Sequence, residues 1–215
     1  ELSAFSVGGY SDYRYIRPTG WIYKVPEDLP PEIAVLTEPF STALHIGDYA
    51  DKEGLVVVVQ GSGPIGLLAV MAAKLSGAST TIVVGAPEGR LRLCKEFGAD
   101  YLIEIQEVPE AKERVRRVKE LTRGGAGADL VVEAAGNPEA FVEGLRMTRR
   151  DGTYLELGHW TDRGSIPVNP YEICWRNVHI HGLYGYNPDR FEYSMRTLHR
   201  YKDSFPLRKV VTDRF

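Results

Sequence analysis

The chain has 215 residues, of which 43% are hydrophobic and 26% are charged, and its formal net charge at pH 7 is −3. This composition is ordinary for a globular protein with a sizeable core, and it excludes the strongly basic surface of a nucleic-acid-binding protein. No apolar run is long enough to cross a bilayer. We therefore expect neither nucleic acid nor a membrane as a partner.

The two cysteines, Cys94 and Cys174, lie far apart, and neither has the spacing of a metal clip. We expect both to be packing residues in a reduced, cytoplasmic setting. Residues 1–15 contain neither a basic region nor an apolar core, so no secretory signal is expected there.

Residues 1–31 are rich in aromatic residues, glycine and proline, which favours short β segments between turns. A segment of this kind cannot form a core of its own, so it must pack on another part of the protein. Two apolar helical stretches are predicted next, at residues 33–36 and 40–46, because each follows a proline-containing helix start.

Residues 55–76 are the most informative stretch. They begin with the apolar run LVVVV, which shows no polar alternation and predicts a central parallel strand buried on both faces. Glycines follow in GxGxxG spacing, and the apolar residues after them fall on one helical face. The stretch therefore predicts a strand, a glycine turn and a helix.

In dinucleotide-binding proteins this spacing has a mechanical reason. The first glycine allows a tight turn, the second lets a pyrophosphate approach the backbone, and the third lets the helix close on the strand. The phosphates lie on free N–H groups at the positive end of the helix dipole. The residues predicted to bind the cofactor here are Gly61, Ser62, Gly63, Pro64, Ile65 and Gly66.

The rest of the chain alternates predicted strands and helices. Six strands with helices between the early ones predict an α/β fold, a doubly wound, parallel six-stranded sheet of the Rossmann type. A last helix carries Phe191, Met195 and Leu198 on one face and precedes a strand-like run at residues 209–211. The remaining strands are predicted at residues 80–84, 101–105, 130–134, 153–157 and 178–183, and helices at 90–97, 110–122 and 138–148.

Ligands of such sheets bind beyond the carboxyl ends of the strands. Gly136, Gly158 and His159 follow predicted strands and are therefore expected to border the cofactor. His179 and His181 alternate along the last strand and so share a face. A metal pair is possible there, although packing or interface roles are commoner for such histidines.

The end of the second strand bears on the choice between NAD and NADP. NAD enzymes usually place Asp or Glu there to bind the adenosine ribose, whereas this chain has Gly85. Without the carboxylate a 2′-phosphate is not repelled, and Arg90 is close enough in sequence to pair with one. Glu88 opposes this if it turns inward, and Arg90 is otherwise a solvated helix residue. We predict NADP or NAD as cofactor, with a slight preference for NADP.

Six segments of the chain form recognisable motifs: GGYSDY, VPEDLPPEIAVLTEPFSTALH, GSGPIG, KEFGAD, GADLVVEAAG and DGTYLELGH. Together, and in this order, they resemble segments of the medium-chain zinc-dependent alcohol and polyol dehydrogenases. The resemblance implies an oxidoreductase that transfers a hydride between NAD(P) and a secondary alcohol, polyol or sugar alcohol with the help of zinc, so the partner is a small-molecule alcohol or carbonyl substrate.

The resemblance also implies how the chain is organised. Residues 1–38 are the tail of a β-rich, GroES-like catalytic domain, residues 39–185 are the dinucleotide-binding domain, and residues 186–215 return, truncated, to the catalytic domain. Most zinc ligands of such enzymes belong to an earlier part of the catalytic domain. Because the exposed sheet edge tends to pair across a two-fold axis in this family, a homodimer or homotetramer is expected.

Two residues of TEPFSTALH have implied roles. Glu38 lies where relatives carry a cysteine or acid that binds or adjoins the catalytic zinc, and Thr42 lies near the nicotinamide ring, with a helix-packing role for Thr42 as the equal alternative. By residue type alone, Glu38 is more simply a helix-start carboxylate beside Pro39. One ligand cannot hold zinc, so we expect no tightly bound catalytic zinc in these residues alone.

Two alternatives stay open. A zinc-free reductase of the same superfamily would share the nucleotide-binding motifs, although GSGPIG with TEPFSTALH looks more like the polyol and threonine dehydrogenase branch. A catalytically silent nucleotide-binding module is the second alternative, because most of the metal site is missing from this sequence.

Overall fold

The computed structural model describes residues 12–13, 15–16, 18–50, 54–185 and 188–213. The start of the GGYSDY motif lies outside these ranges. Within them, the strands are β1 (Val56–Gln60), β2 (Thr80–Gly85), β3 (Tyr101–Glu104), β4 (Ala128–Glu133), β5 (Thr148–Glu156) and β6 (His179–Gly182). Every neighbouring pair is parallel, in the order β3-β2-β1-β4-β5-β6. The predicted doubly wound, six-stranded parallel sheet is confirmed.

Short helices precede β1, longer ones connect the strands up to β5, the short α8 connects β5 to β6, and a last helix follows β6. No helix within the described ranges has both the length and the apolar composition needed to cross a membrane. The bounds are α1 (Pro31–Ala34), α2 (Thr37–Ala43), α3 (Ile46–Tyr49), α4 (Pro64–Leu75), α5 (Glu88–Glu96), α6 (Ala111–Glu120), α7 (Pro138–Met147), α8 (Pro170–Cys174) and α9 (Pro188–Arg200). Short 3₁₀ helices occupy Arg123–Gly125 and Leu207–Val210.

Side chains of each strand alternate between two cores, one on each face of the sheet. Val57 and Val59 of β1 face the core that contains α2, α4 and α9, whereas Val58 faces the core beneath α6 and α7. Both faces of β1 are therefore buried, which explains its lack of polar alternation. The same alternation directs Gln60 to the side of α7, where its amide donates to the carbonyl of Ala140 at 3.0 Å.

The register aligns the last residues of three neighbouring strands. Gln60 of β1 lies opposite Glu133 of β4, and Glu133 lies opposite Glu156 of β5. Because paired residues of adjacent strands point to the same face, these polar side chains form one row at the carboxyl edge of the sheet. This edge is where ligands of open α/β sheets bind.

The beginning and end of the described chain share the core on the α4 face. Leu29 and Ile33 pack there from the beginning, and Leu198 packs there from α9. One hydrophobic core thus extends across the predicted domain boundaries at residues 38 and 185. The boundaries themselves stay predictions.

The β segments predicted for residues 1–31 are wrong within the described part of that range, which has bends and turns but no strand. Side chains anchor this segment instead. Tyr23 donates to the carbonyl at the start of α9 at 2.9 Å, and Asp28 pairs with His199 and Lys202 at 2.8 and 2.5 Å. Because the segment forms no ladder with a neighbouring strand, its turn-rich sequence stays irregular.

The strand predicted at residues 209–211 is also wrong. The chain forms a 3₁₀ helix there, Leu207–Val210, and the side chains at both of its ends are buried. Residues three apart lie on the same side of a 3₁₀ helix, so both can face the core. An extended strand would turn one of them toward solvent.

Two further features differ from the prediction. β5 begins at Thr148 rather than at residue 153, because its pairing with β4 starts at Thr148 opposite Ala128 and resumes, after a register shift, at Thr153 opposite Leu130. Asp151, with φ +55°, lies in the irregular stretch between these pairs. The helix α8 was not predicted, although its cap follows from the sequence: Asn169 accepts a hydrogen bond from the N–H of Tyr171 at 3.1 Å. Both are short local features that the alternation of strands and helices does not reveal.

The two cysteines have different environments. Both are free thiols; Cys94 is fully buried, whereas Cys174 is exposed at the end of α8. Burial raises the pKa of the Cys94 thiol to about 12. The predicted packing role is therefore confirmed for Cys94 and wrong for Cys174.

Candidate active site

The turn after β1 has a backbone that favours glycine at its first position. Gly61 has φ +107°, and a Cβ there would lie 2.8 Å from the backbone carbonyl of Ala134. The Gly61 N–H donates to the carbonyl of Val84 at 2.8 Å, which ties the turn to β2. The predicted tight turn is present.

The other two glycines of the turn have different surroundings. A Cβ at Gly66 would lie 2.1 Å from the carbonyl oxygen of Gly61, so α4 closes on the turn only with glycine there. Gly63 has an extended backbone with φ −74°, and nothing lies within 4 Å of the position of its Cβ. Open space therefore lies directly before the N-terminus of α4, whose first N–H groups have no partners within the helix.

The end of β2 packs against the same turn. The Ser62 hydroxyl donates to the carbonyl of Ala86 at 2.8 Å, and a Cβ at Gly85 would lie 3.0 Å from that hydroxyl oxygen. Ser62 thus occupies the space beside Gly85. An acidic side chain at position 85 would have to displace Ser62 by a few tenths of an ångström.

The first turn of α5 presents its charges to solvent. Glu88 pairs with Arg92 at 3.2 Å along the same helix, and their side chains are 66% and 71% exposed. Glu88 has therefore not turned inward toward Gly85. Arg90, in the same turn, is exposed and available to a ligand beyond β2.

A cavity of about 670 Å³ lies beside the glycine turn. Glu38 and Thr42 line it from α2, and Ile65 lines it from the first turn of α4. The structure thus brings the two residues of TEPFSTALH next to the predicted cofactor turn. The rest of its wall, from the segments after β5 and β6, consists of Leu157, Trp160, Leu183, Tyr184 and Gly185.

Hydrogen bonds hold α2 in this position. The Ser194 hydroxyl of α9 donates to the carbonyl of Thr37 at 2.7 Å. Just after α2, the ring of His45 bonds to the Asp48 carboxylate and to the carbonyl of Gly185, each at 3.2 Å. His45 therefore joins α2 to the segment after β6.

The loops that follow β4 and β5 approach each other closely. Gly136 has φ +65°, and a Cβ there would lie 2.7 Å from the carbonyl oxygen of Gly158. A Cβ at Gly158 would lie 2.1 Å from Oε2 of Glu133. Both glycines lie at the carboxyl edge of the sheet, where a cofactor contact was predicted, and that contact stays a prediction.

A cluster that was not predicted lies at the same edge. Glu133 is fully buried, and its Oε1 accepts hydrogen bonds from the N–H groups of Ala135 and Gly136, each at 2.8 Å. Its Oε2 makes no hydrogen bond and lies 3.5 Å from Nδ1 of His159. The same Nδ1 lies 2.8 Å from Oε1 of the partly buried Glu156. Burial and the neighbouring Glu156 carboxyl raise the pKa of Glu133 to about 8.

The sequence contains a signal for this cluster. Glu133 and Glu156 each follow apolar residues within a predicted strand, in VVE and YLE. An acid in a buried strand needs a partner, so either residue indicates a polar site. His159 was predicted to border the cofactor; the structure shows two carboxylate neighbours for its ring.

Residues 64–200 match the family described as zinc-binding dehydrogenase. The chain belongs to this family. This match confirms the resemblance to zinc-dependent dehydrogenases that the motifs of the chain indicated. It is 36% identical over 213 residues to 5-exo-hydroxycamphor dehydrogenase from Pseudomonas putida, a match that covers 97% of this chain and 58% of that protein.

Two solved structures of zinc-binding dehydrogenase relatives share the fold. An alcohol dehydrogenase from Thermotoga maritima matches with a TM-score of 0.81 and 30% identity, over 88% of this chain and 52% of that one. A zinc-binding dehydrogenase from Sinorhizobium meliloti 1021, solved bound to NADP, matches with a TM-score of 0.72 and 28% identity, over 83% and 51% of the two chains. The chain thus spans about half the length of these relatives.

The zinc expected of a zinc-binding dehydrogenase needs more ligands than the cavity wall offers. Glu38 is exposed there and contributes one carboxylate. In the part of the chain that the structure describes, the group of potential ligands close enough to share one ion is Glu133, Glu156 and His159, which excludes Glu38. A single carboxylate does not hold zinc, so the described residues do not build a zinc site around Glu38.

Proposed function

We propose that the protein transfers a hydride between a nicotinamide cofactor, NAD or NADP, and a small alcohol or carbonyl compound. The substrate class is a secondary alcohol, polyol or sugar alcohol. One observation carries the proposal: Ile65, within the glycine turn motif, and Glu38 and Thr42 line a common cavity. A dinucleotide laid over the turn would therefore reach the space where a substrate binds.

In this proposal the chain itself binds and orients the reactants. The open space at Gly63 admits the pyrophosphate, and the N-terminus of α4 stabilises its negative charge. Thr42 and the apolar wall around Leu157 and Leu183 orient the nicotinamide end and exclude water. The cofactor supplies the hydride chemistry, and zinc, where the complete site exists, supplies a Lewis acid for the substrate oxygen.

We infer that Glu38 belongs to that zinc site in the whole protein, whose other ligands lie outside the described residues. The family membership and the position of Glu38 in the cavity wall support this inference. The proposed division at residues 38 and 185, into catalytic and dinucleotide-binding parts, follows from the same reasoning.

We also propose that the protein is a cytoplasmic dimer or tetramer. β6 lies at one edge of the sheet, and an exposed strand edge favours pairing with a second copy. Both cysteines are free thiols, in keeping with a reducing compartment. Sedimentation at micromolar concentration measures the assembly directly, and a clean monomer would contradict it.

Cofactor binding by the 215-residue chain tests the central proposal. A Gly63→Val variant places its side chain in open space in the free protein, so the fold should persist while the pyrophosphate is blocked. A Gly47→Val variant is the matched control, because Gly47 lies beside Ser76 at the opposite end of α4. A Cβ added at Gly47 would lie 3.4 Å from the Ser76 hydroxyl oxygen. Calorimetry with NAD and NADP should show binding by the parent and the control but not by Gly63→Val. Equal binding by all three would place the cofactor elsewhere.

A further inference from the structure

Unpartnered polar atoms are concentrated at one place in the described structure. Seven buried side-chain nitrogen or oxygen atoms of the described residues have no hydrogen-bond partner, and five of these atoms belong to one row at the ends of β1, β4 and β5. Buried polar atoms are normally satisfied, so such a concentration indicates an additional ligand or ordered water. The five are Gln60 Oε1, Glu133 Oε2, Tyr154 Oη, Glu156 Oε2 and His159 Nε2.

The ligand chemistry follows from the three side chains that converge there. Glu133, Glu156 and His159 each offer a ligand atom, and these atoms lie within 4.8 Å of one another. The distances from His159 Nδ1 are 2.8 Å to Glu156 Oε1 and 3.5 Å to Glu133 Oε2. With metal–ligand bonds of about 2.0–2.2 Å, ligand atoms in a tetrahedral site lie about 3.3–3.6 Å apart, so small shifts suffice to admit an ion.

Charge balance favours a divalent cation. Two carboxylates beside each other in a largely buried group are costly when both are ionised, and the one imidazole of the group can carry at most one positive charge. A divalent ion with a neutral imidazole leaves the group uncharged. Carboxylate oxygen and imidazole nitrogen together are ligands that Zn²⁺ accepts.

The surroundings are rigid and include a further buried group. Glu133 is held by the backbone N–H groups of Ala135 and Gly136, so its Oε2 has a defined direction. Tyr154 precedes Glu156 by two residues on the same face of β5 and is fully buried, and its hydroxyl makes no hydrogen bond.

We propose that Glu133, Glu156 and His159 bind one divalent transition-metal ion, with Zn²⁺ as the reference ion, at the ends of β4 and β5. A cavity of about 180 Å³ lined by Glu156 and His159 provides access from solvent. The bound ion ties β4 to β5 directly beneath Gly136 and Gly158. This site does not involve Glu38 and does not depend on the proposed dehydrogenase activity.

Calorimetric titration of the 215-residue chain with Zn²⁺ tests the site. One ion should bind per chain, and Glu156→Gln and His159→Ala should each weaken its affinity by at least about tenfold. His179→Ala is the matched control, since that histidine is exposed at the opposite, amino end of β6, where it pairs with Asp151 at 3.3 Å. Glu38→Gln is the second control, because it removes the carboxylate implied for the dehydrogenase zinc.

The outcomes separate the alternatives. Loss of binding in Glu156→Gln and His159→Ala but not in the controls supports the proposed site, whereas loss only in Glu38→Gln assigns the ion to the cavity. If the parent chain binds no Zn²⁺, the proposal is wrong, and protons and water satisfy the unpartnered polar atoms of the row instead. Should Glu156→Gln fail to fold, His159→Asn and the visible spectrum of a Co²⁺ complex decide the same question, since an unchanged spectrum would exclude the imidazole as a ligand.

Discussion

Arg114 of α6 and Glu143 of α7 form a buried two-point ion pair: Nε to Oε1 is 2.8 Å and Nη2 to Oε2 is 2.6 Å. Their side chains are 9% and 8% exposed. The remaining guanidinium nitrogen donates to the carbonyls of Val108 and Pro109, each at 2.7 Å. The pair therefore fixes α6 against α7 on one face of the sheet.

Glu143→Ala should destabilise the fold, because it leaves the Arg114 charge buried without its counter-ion. We expect a loss of about 3–5 kcal/mol in the free energy of unfolding, measured by urea denaturation. Arg116→Ala is the control on the exposed face of α6, where ion pairs contribute about 0–1 kcal/mol. Similar losses in both variants would mean that burial does not matter for this pair.

The glycine turn should respond differently at two of its positions. Gly66→Ala should cost about 1–3 kcal/mol, since its Cβ would lie 2.1 Å from the Gly61 carbonyl oxygen. Gly63→Ala should change stability by no more than about 0.5 kcal/mol, because its Cβ enters open space. Thermal and urea unfolding of both variants measures the contrast. Equal stability of the two would show that α4 can move away from the turn.

Cofactor preference should depend on Arg90. If its guanidinium pairs with a 2′-phosphate, Arg90→Ala should weaken NADP binding by about tenfold to a hundredfold and leave NAD nearly unchanged. Arg92→Ala is the matched control two residues along α5, where the side chain already pairs with Glu88. The dissociation constants are measured by calorimetry at fixed salt. A similar loss of affinity for NAD and NADP would mean that Arg90 does not bind the 2′-phosphate.

An acidic residue at position 85 should favour NAD, provided that Ser62 makes room for its side chain. Gly85→Asp supplies a ribose acceptor and repels a 2′-phosphate, but the new Cβ would lie 3.0 Å from the Ser62 hydroxyl oxygen. Gly85→Asp combined with Ser62→Gly should therefore shift the preference to NAD more than Gly85→Asp alone. Ser62→Gly by itself serves as the control. An unchanged ratio of the two dissociation constants in the double variant would contradict this arrangement.

Asp28 should make the attachment of the first residues to α9 sensitive to acid. Hydrogen bonds from Lys202 and His199 lower the pKa of Asp28 to about 2. This pKa is lower in the folded chain than in the unfolded one. The ionised Asp28 carboxylate, bonded to Lys202 and His199, therefore stabilises the fold above about pH 4, and this stabilisation is lost as the pH falls through about 2. NMR titration of the carboxyl carbon measures the pKa directly. Lys202→Ala should return it toward the ordinary range, and no change would exclude Lys202 as its cause.

Much of the fold is determined by local sequence. The run from Val56 to Val59 indicates a strand buried on both faces because it contains no polar residue, and the glycines after it indicate a turn that other residues strain. The alternation of such strands with helices then predicts a parallel doubly wound sheet, since parallel strands need helical crossovers. These inferences depend on neighbouring residues only, which is why they were confirmed.

Features that depend on long-range packing were decided by the tertiary structure. The order of strands places Glu133 beside Glu156, and no local pattern states which strands are neighbours or in which register. The same holds for Glu38 and Ile65, which are far apart in sequence and line one cavity. At residues 209–211 the burial of Leu207 and Val210 selected a 3₁₀ helix over a strand. Sequence determines each segment's preferences, but the side chains that meet at the carboxyl edge of the sheet are chosen by pairing and packing between distant segments.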